Sequence, residues 1–312
     1  MSFYVHPFDA GLGADIVGLD ITQQVTLEDA RQLRAAWANH LVLRLREQPM
    51  SDLQHMAFSK VFGEIEISPA GVLARDYGVQ NKVDYSAAVP PEVTVVSNII
   101  ESDRPVGDLG SGELVWHTDA SFLDHPPAGS ALRALEVPAS GGETGFLNMY
   151  TAYETLPVSL RSRMDSTVLL HSRVRSSDGR FRKGFETYAL ADPSKAPGAL
   201  HPAVRVHPLT GRKALFLGRR QDAYVVGSEA DASERLLDEV WAHVLQKRFT
   251  WRQDWCVGDL VIWDNRCTMH RRNSFDSAER RLMHRTQIID PAARPQSLPH
   301  HTPSQHTRVQ ND

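Results

Sequence analysis

The sequence predicts a mainly β, α+β fold of the sandwich or barrel type. From Val115 to Ile289, short runs of β-forming residues recur between turn signals, a spacing that favours antiparallel sheets over β-α-β units. One amphipathic stretch, residues 233–246, predicts a helix packed on a sheet. The predicted strands are residues 16–19, 41–45, 93–97, 131–137, 144–149, 168–174, 213–217, 249–255, 260–263 and 282–289.

Two helices are predicted near the amino terminus, on either side of the strand at residues 41–45. Thr26 with Asp29 three residues on is a capping-box pattern, which starts a helix. Ser51 opens a second helix towards Phe62. These helices would flank the β core, as an α+β fold requires.

Composition indicates an ordinary globular protein of 312 residues, with 41% hydrophobic and 23% charged residues. The net charge of -4 comes without a basic stripe, so no nucleic-acid partner is expected. Neither a signal peptide nor a run of the roughly 20 apolar residues that span a membrane is recognised. Two cysteines, Cys256 and Cys267, are too few for a disulfide framework and predict the cytoplasm.

Length and turn content predict one domain over residues 1–290. Residues 68–113 and 173–199 are rich in turn formers and are predicted to be mobile active-site loops. The polar segment 291–312 is predicted to be a disordered tail. A homo-oligomer, either a dimer or a tetramer, is expected because symmetric assemblies are common among soluble proteins.

The sharpest local motif is His117 with Asp119, one residue apart among β-formers. Side chains two apart on a strand point to the same side, so an imidazole and a carboxylate can converge on one ion. The same pair could also be a simple hydrogen bond at a strand end.

A second motif lies far downstream, where a predicted buried strand at residues 260–263 is followed by His270. Two imidazoles and one carboxylate form the facial triad of non-haem Fe(II) oxygenases, which leaves coordination positions for a chelator and O₂. His117, Asp119 and His270 are therefore the candidate metal ligands and catalytic residues. Cys267 is close to them in sequence, but it is better explained as a small buried side chain.

The sequence resembles the Fe(II)/2-oxoglutarate dioxygenases of the taurine dioxygenase and aryloxyalkanoate (2,4-D) dioxygenase family. The resemblance extends from Gly13 to the region of Ile289 and implies a double-stranded β-helix, a jelly-roll or cupin-like core with flanking helices. Four blocks carry it: residues 116–119 (WHTD), residues 138–144 (PASGGET), residues 263–266 (WDNR) with His270, and residues 281–286 (RLMHRT).

The resemblance implies that His117, Asp119 and His270 hold Fe(II), and that Thr144 and Arg281 hold the distal carboxylate of 2-oxoglutarate. A guanidinium group can bind a carboxylate through two parallel hydrogen bonds, which suits this role. Without the resemblance, Arg281 could equally be a surface arginine.

Arg285 follows Arg281 by four residues, so both would face one side of an extended strand. In the family this position contacts either the inner carboxylate of 2-oxoglutarate or the acidic group of the primary substrate. Trp263 and Asn265 match the family block and are expected to support the turn that aims His270.

The implied reaction couples oxidative decarboxylation of 2-oxoglutarate to succinate and CO₂ with hydroxylation, or hydroxylation-triggered cleavage, of a small organic anion. A carboxylate with an apolar body is expected, because residues 65–71 lack the aromatic, histidine-rich stretch of taurine enzymes. The candidate substrate-binding residues are Tyr85, Val96, Asn98, Phe122 and Arg285. Tyr85 and Phe122 could instead be core aromatic residues.

Two alternatives remain open at this point. The same site could perform desaturation or another oxidative rearrangement in a biosynthetic pathway. The protein could also belong to a different class, that of non-catalytic jelly-roll sensors that bind a metal or an anion. Such a sensor would need the metal ligands but not the 2-oxoglutarate clamp of Thr144 and Arg281.

Overall fold

Two β-sheets form the centre of the computed structural model, which describes residues 3–67, 89–188 and 192–289. The strands in chain order are β1 (Tyr4–Pro7), β2 (Ala14–Val17), β3 (Val42–Leu45), β4 (Glu64–Glu66), β5 (Thr94–Ser97), β6 (Ile100–Glu101), β7 (Arg104–Pro105), β8 (Asp108–Leu109), β9 (Leu114–His117), β10 (Gly129–Glu136), β11 (Thr144–Asn148), β12 (Val168–Ser172), β13 (Gly198–Pro202), β14 (Val204–Val206), β15 (Lys213–Leu215), β16 (Ala223–Val225), β17 (Thr250–Gln253), β18 (Leu260–Asp264), β19 (Thr268–Arg272) and β20 (Leu282–Ile289).

The larger sheet has the order β1-β2-β3-β18-β10-β20-β5-β8, with β4 also paired to β20. The smaller sheet has the order β17-β11-β19-β9. Most of the pairs in both sheets are antiparallel, and β2 with β3 and β5 with β8 are parallel. Three smaller sheets accompany them: β13-β12-β16, β14-β15 and β6-β7.

The two principal sheets share one apolar core. Phe146 of β11 and Trp263 of β18 are both almost fully buried, and their ring centroids lie 5.6 Å apart. Met269 of β19 and Met283 of β20 belong to the same buried cluster. This arrangement confirms the predicted mainly β core of jelly-roll type.

Five α-helices lie outside the sheets in the described ranges. They are α1 (Leu27–His40), α2 (Asp52–Ser59), α3 (Met149–Glu154), α4 (Val158–Asp165) and α5 (Ala230–Val244). Short 3-10 turns occur at Pro193–Lys195 and Lys247–Phe249. None of the helices in the part of the chain that the structure describes is long and apolar enough to cross a membrane.

The helix starts follow the predicted capping chemistry. The Thr26 hydroxyl oxygen accepts a hydrogen bond from the Asp29 backbone N–H at 3.1 Å, which caps α1. Ser51 and Gln54 form a complete capping box at α2. The predicted helix at residues 233–246 is α5, whose apolar stripe is buried.

Parts of the predicted loops lie outside the described residues, which omit 68–88, 189–191 and 290–312. The described part of 68–113 is more regular than expected, because β5 to β8 occupy it. Within 173–199 the structure has a 3-10 turn and the start of β13. The single domain, the mobility of both loops and the disordered tail remain predictions.

Candidate metal centre and adjoining cavities

The side chains of His117, Asp119 and His270 converge, although 151 residues of sequence separate the second from the third. Their ligand atoms all lie within 4.8 Å of one another, and all three residues are buried. The convergence arises in the smaller sheet, where β9 pairs with β19 and places His117 directly opposite His270. The sequence predicted that these three residues would lie together. It did not predict the strand pairing that brings them together.

His117 ends β9, and its ring orientation is fixed by a hydrogen bond. Its Nδ1 lies 2.7 Å from the Val115 carbonyl oxygen, which can only accept, so Nδ1 carries the proton. The Nε2 lone pair is therefore available as a ligand, and Nε2 lies 3.7 Å from Asp119 Oδ1.

His270 lies in the middle of β19 rather than beyond the end of the preceding strand, as the sequence had suggested. Its ring packs against Trp263, with centroids 4.8 Å apart, and against His117 at 4.1 Å. Its Nε2 lies 3.8 Å from Asp119 Oδ1. Burial and the neighbouring His117 lower the pKa of His270 to about 3, so the ring is neutral at physiological pH.

Asp119 lies just beyond β9, not on the strand as the spacing of the motif suggested. Asn265 holds it there: the Asn265 side chain accepts from the Asp119 N–H at 2.9 Å and donates to the Asp119 carbonyl at 3.0 Å. Ser130 donates to Oδ2 at 2.9 Å. Asn265 therefore fixes the backbone that carries this carboxylate, which is a role beyond the support of His270 that the sequence predicted.

Opposing effects set the charge of Asp119. Burial raises its pKa, but the nearby charge of Arg285, together with the hydrogen bond from Ser130, holds the pKa well below its usual value. Arg285 Nη1 lies 3.1 Å from Oδ1 and 3.3 Å from Oδ2. Two neutral imidazoles and one carboxylate anion are thus present at physiological pH.

This donor set fits a divalent iron ion. An imidazole–metal bond of about 2.1 Å allows two ligand atoms to lie up to roughly 4.2 Å apart around one ion. The separations of 3.7 Å and 3.8 Å from Asp119 Oδ1 satisfy that limit. Nitrogen and oxygen ligands of this kind, on one side of the ion, match the facial triad.

A second cluster of possible ligands, His207, Asp264 and Cys267, does not fit a metal equally well. Both oxygens of Asp264 accept hydrogen bonds from Arg266, and Oδ2 also lies 2.9 Å from His207 Nε2. A carboxylate so occupied is a structural ion pair. Cys267 is a buried free thiol whose pKa is raised well above its usual value by burial, as expected for a small core residue.

A small cavity next to the ligands contains two buried arginines, Arg272 and Arg281. Within the described part of the chain, the Nε atoms of both, and Nη1 of Arg272, have no hydrogen-bond partner. Burial, and then the charge of Arg272, lowers the pKa of Arg281 to about 9. Buried cationic donors without partners indicate a site for an anion.

Thr144 lies in the same cavity at the start of β11. Its hydroxyl oxygen accepts a hydrogen bond from Trp255 Nε1 at 2.9 Å, which leaves the hydroxyl proton available to donate. His270 lines this cavity too. An acid held by Arg281 and Thr144 would therefore lie beside the metal ligands.

A larger cavity of about 350 Å³ is lined by His117 and Asp119, and both His117 and Arg285 line the small cavity as well. Among the described residues, its wall is predominantly polar, and Leu109, Ala120 and Phe122 are its apolar members. Its cationic side chains are Arg180, Arg182, Lys183, Arg219 and Arg285.

Comparison with known proteins places this geometry in a family. The model of the "Taurine catabolism dioxygenase TauD, TfdA family" matches residues 5–287. The chain belongs to the TauD/TfdA family. The (S)-phenoxypropionate/alpha-ketoglutarate-dioxygenase of Sphingobium herbicidovorans is 31% identical, over 94% of this chain and 97% of that protein.

Two further relatives support the assignment. The alpha-ketoglutarate-dependent 2,4-dichlorophenoxyacetate dioxygenase of Cupriavidus pinatubonensis is 32% identical, over 94% of this chain and 99% of that protein. The crystal structure of AAD-2 in complex with Mn(II) and N-oxalylglycine has a TM-score of 0.73 and 28% identity, over 92% and 97% of the two chains. The resemblance inferred from four sequence blocks is thereby confirmed.

The predicted substrate residues of this TauD/TfdA protein are dispersed in the structure. Phe122 and Arg285 line the large cavity, whereas Val96 lines the small one. Asn98 binds the segment before β20, donating to the Glu279 carbonyl at 2.8 Å and accepting from the Arg281 N–H at 2.9 Å. Tyr85 lies outside the described residues.

Several residues of both cavities were missed by sequence reasoning. Arg272 could have been found, because it lies two residues after His270 on β19 and therefore faces the same side. Arg182, Arg219 and His171 come from segments without a recognisable motif. Only the folded chain brings these three together.

Proposed function

We propose that this protein is an Fe(II)- and 2-oxoglutarate-dependent dioxygenase that hydroxylates a small organic anion. The observation that carries the proposal is the adjacency of two features. Three buried candidate ligands converge, and the adjoining cavity contains two buried arginines with nitrogens that have no hydrogen-bond partner among the described residues.

In this proposal His117, Asp119 and His270 hold the iron. Burial keeps both imidazoles neutral, so their Nε2 lone pairs are free to bind at physiological pH. Asp119 supplies the single negative charge, and Arg285 and Ser130 orient its carboxylate. A hydrogen bond to Val115 fixes the rotation of the His117 ring.

Arg281 and Thr144 hold the distal carboxylate of 2-oxoglutarate. Arg281 is 2% exposed, so the charge-assisted bonds would form away from competing water. Arg272, whose guanidinium is anchored to the Leu109 and Gly112 carbonyls, adds positive charge on the same wall. N-oxalylglycine, bound by AAD-2, differs from 2-oxoglutarate only by N–H in place of a methylene.

When bound, iron and 2-oxoglutarate supply the oxidising chemistry: O₂, 2-oxoglutarate and a substrate C–H bond give succinate, CO₂ and an alcohol. The protein orders the reactants and excludes water. Val96, Leu132 and Trp263 line the small cavity with apolar surface, which strengthens the ionic bonds made there. Desaturation at the same site would remove two hydrogens, so product mass separates the two outcomes.

The proposed primary substrate is a small organic anion, with carboxylates first to be tested. Both named relatives act on aryloxyalkanoic acids according to their names, and the large cavity is strongly cationic. The polar wall of the described residues gives less support to the apolar body expected from the sequence.

A cytoplasmic, homo-oligomeric enzyme remains part of the proposal. Both cysteines are free thiols, as expected in a reducing compartment. Size-exclusion chromatography with light scattering would distinguish a monomer from the expected dimer or tetramer.

The test begins with anaerobic addition of Fe(II) and then 2-oxoglutarate to the metal-free protein. A weak visible charge-transfer band is expected when the chelate forms at the three ligands. A screen of carboxylates, sulfonates and amino acids for substrate-stimulated succinate formation would follow. A protein that binds the metal but neither forms this band nor releases succinate would be a sensor, not a dioxygenase.

A further inference from the structure

The wall of the large cavity carries more positive charge than the reaction at the metal requires. Five cationic side chains and three carboxylates line it among the described residues. Asp119 is committed to Arg285 and the proposed iron. Asp178 accepts from the Ser176 hydroxyl and from the Arg180 backbone N–H. The cavity is therefore cationic before any metal enters it.

The cations differ in what already binds them. Arg285 forms an ion pair with Asp119 and reaches both cavities, so it neutralises carboxylates on the metal side. Arg219 forms no ion pair with a described carboxylate. Its Nη2 donates to the Ser172 carbonyl at 3.4 Å, and its Nε has no hydrogen-bond partner among the described residues. The nearby Asp222 pairs instead with Arg175, at 3.4 Å.

Arg182 is a second cation on this wall without an ion pair to any described carboxylate. Its Nε donates to the Arg175 carbonyl at 3.1 Å, and its guanidinium lies 4.3 Å from the centre of the Phe122 ring. Burial, followed by the charge of Arg219, lowers the pKa of Arg182 to about 10. The charge of Asp178 acts on both partly buried guanidinium groups, but Asp178 forms no ion pair with either of them. Two guanidinium groups near each other repel, and a bound oxyanion would relieve this repulsion.

His171 adds a neutral donor to the same wall. It is 3% exposed and lines the cavity, and neither ring nitrogen has a hydrogen-bond partner among residues 3–67, 89–188 and 192–289. Burial lowers its pKa well below the usual value, so one nitrogen carries a proton and can donate. A buried imidazole with both nitrogens unsatisfied points to a ligand that supplies the missing acceptor.

We infer that Arg219 and Arg182, with His171 beside them, bind an oxyanion of the primary substrate, while Arg285 serves the carboxylates at the metal. The inference rests on the proposed function and refines its substrate class. The substrate then carries a carboxylate, sulfonate or sulfate group anchored away from Arg285, which orients the rest of the molecule towards the metal ligands. Arginine suits each of these groups because its planar donors match two oxygens at once.

Calorimetric titration of the anaerobic Fe(II)·2-oxoglutarate protein with sodium sulfate, methanesulfonate or acetate tests the inference. Because saturating 2-oxoglutarate fills the cavity around Arg281, any binding of these probes takes place in the larger cavity. At least one of them should bind to the wild-type protein, and the preferred one identifies the oxyanion. Arg219→Gln should weaken that binding by roughly tenfold or more, as the loss of a charge-assisted pair of bonds predicts.

Arg220→Gln is the matched control, because Arg220 adjoins Arg219 in sequence but pairs with Glu234 and Asp238 outside the cavity. It should bind the probes as the wild type does. Arg219→Lys retains the charge and should give an intermediate affinity. Arg182→Gln gives an independent variant in case Arg219→Gln does not fold.

Equal affinity in the wild type and in both glutamine variants, with the charge-transfer band present, would overturn this assignment and leave the dioxygenase proposal standing. If none of the three probes bound while the charge-transfer band was present, the oxyanion assignment would likewise be overturned and the dioxygenase proposal would stand. Absence of the band in the wild-type protein would instead overturn the proposed function and this inference with it.

Discussion

The small and large cavities share Arg285 and His117 but are built in different ways. The small cavity takes Thr144, Arg272 and Arg281 from strands of the two principal sheets or from the residue just before one. The large cavity takes its distinctive cations from residues 176–183 and from Arg219, which lie in loops. This difference matches the two proposals, in which residues of the sheets hold 2-oxoglutarate and residues of the loops bind the primary substrate.

The largest effect should come from the proposed metal ligands, which line one or both of the two cavities. His270→Ala removes one of three ligands, so 2-oxoglutarate turnover should fall by more than about 100-fold, beyond the loss typical of an outer-shell change. Succinate release and Fe(II) binding measure it. His125→Ala is the control, since His125 is exposed and outside the cluster. Activity of His270→Ala close to that of the control would contradict the ligand assignment.

A change confined to the small cavity should affect 2-oxoglutarate alone. Arg281→Gln should raise the KM for 2-oxoglutarate by roughly 10- to 100-fold, because a buried carboxylate loses charge-assisted hydrogen bonds. The neighbouring Arg280→Gln is the matched control: Arg280 is exposed and pairs with Glu136 at 2.7 Å. A similar KM in both variants would show that the clamp lies elsewhere.

A smaller effect is expected where a loop supports the large cavity. Gly218 has a φ of 67°, and a Cβ there would lie 2.2 Å from His171 Nδ1. Gly218→Ala should lower the free energy of unfolding by about 1–3 kcal/mol, through backbone strain and displacement of His171. Denaturant unfolding measures it, with probe binding as a second readout.

Gly211→Ala separates these two causes. Gly211 has nearly the same φ, 69°, but a Cβ there would meet no atom within 4 Å. It should show the strain alone and bind anions normally. Gly218→Ala and Gly211→Ala could instead be equally destabilised and bind the oxyanion probes equally. In that case the close contact between Gly218 and His171 would have no role in anion binding.

What the sequence could predict follows the same division. His117 was a candidate because it lies in a motif with fixed spacing, whereas Thr144 and Arg281 were candidates because they lie in the blocks that resemble the family. Capping patterns predicted where α1 and α2 begin. The position of Asp119 beyond β9 was not foreseen, because its brace, Asn265, lies 146 residues away. Tertiary partners of this kind leave no local pattern.

The loop residues that line the large cavity were harder still to predict. Arg182 and Arg219 lie in polar segments, where an arginine on the surface and one inside a cavity have the same local sequence pattern. Phe122 was proposed from the resemblance and does line the large cavity. Its contact with Arg182 depends on the fold of residues 176–183, which neither periodicity nor capping describes.

The backbone of the chain also joins the two regions. Arg219 forms an isolated β-bridge with His117, and the neighbouring Thr118 N–H donates to the Gly218 carbonyl at 2.9 Å. An anion bound at Arg219 would therefore act on the same backbone segment that carries His117, a proposed ligand of the iron.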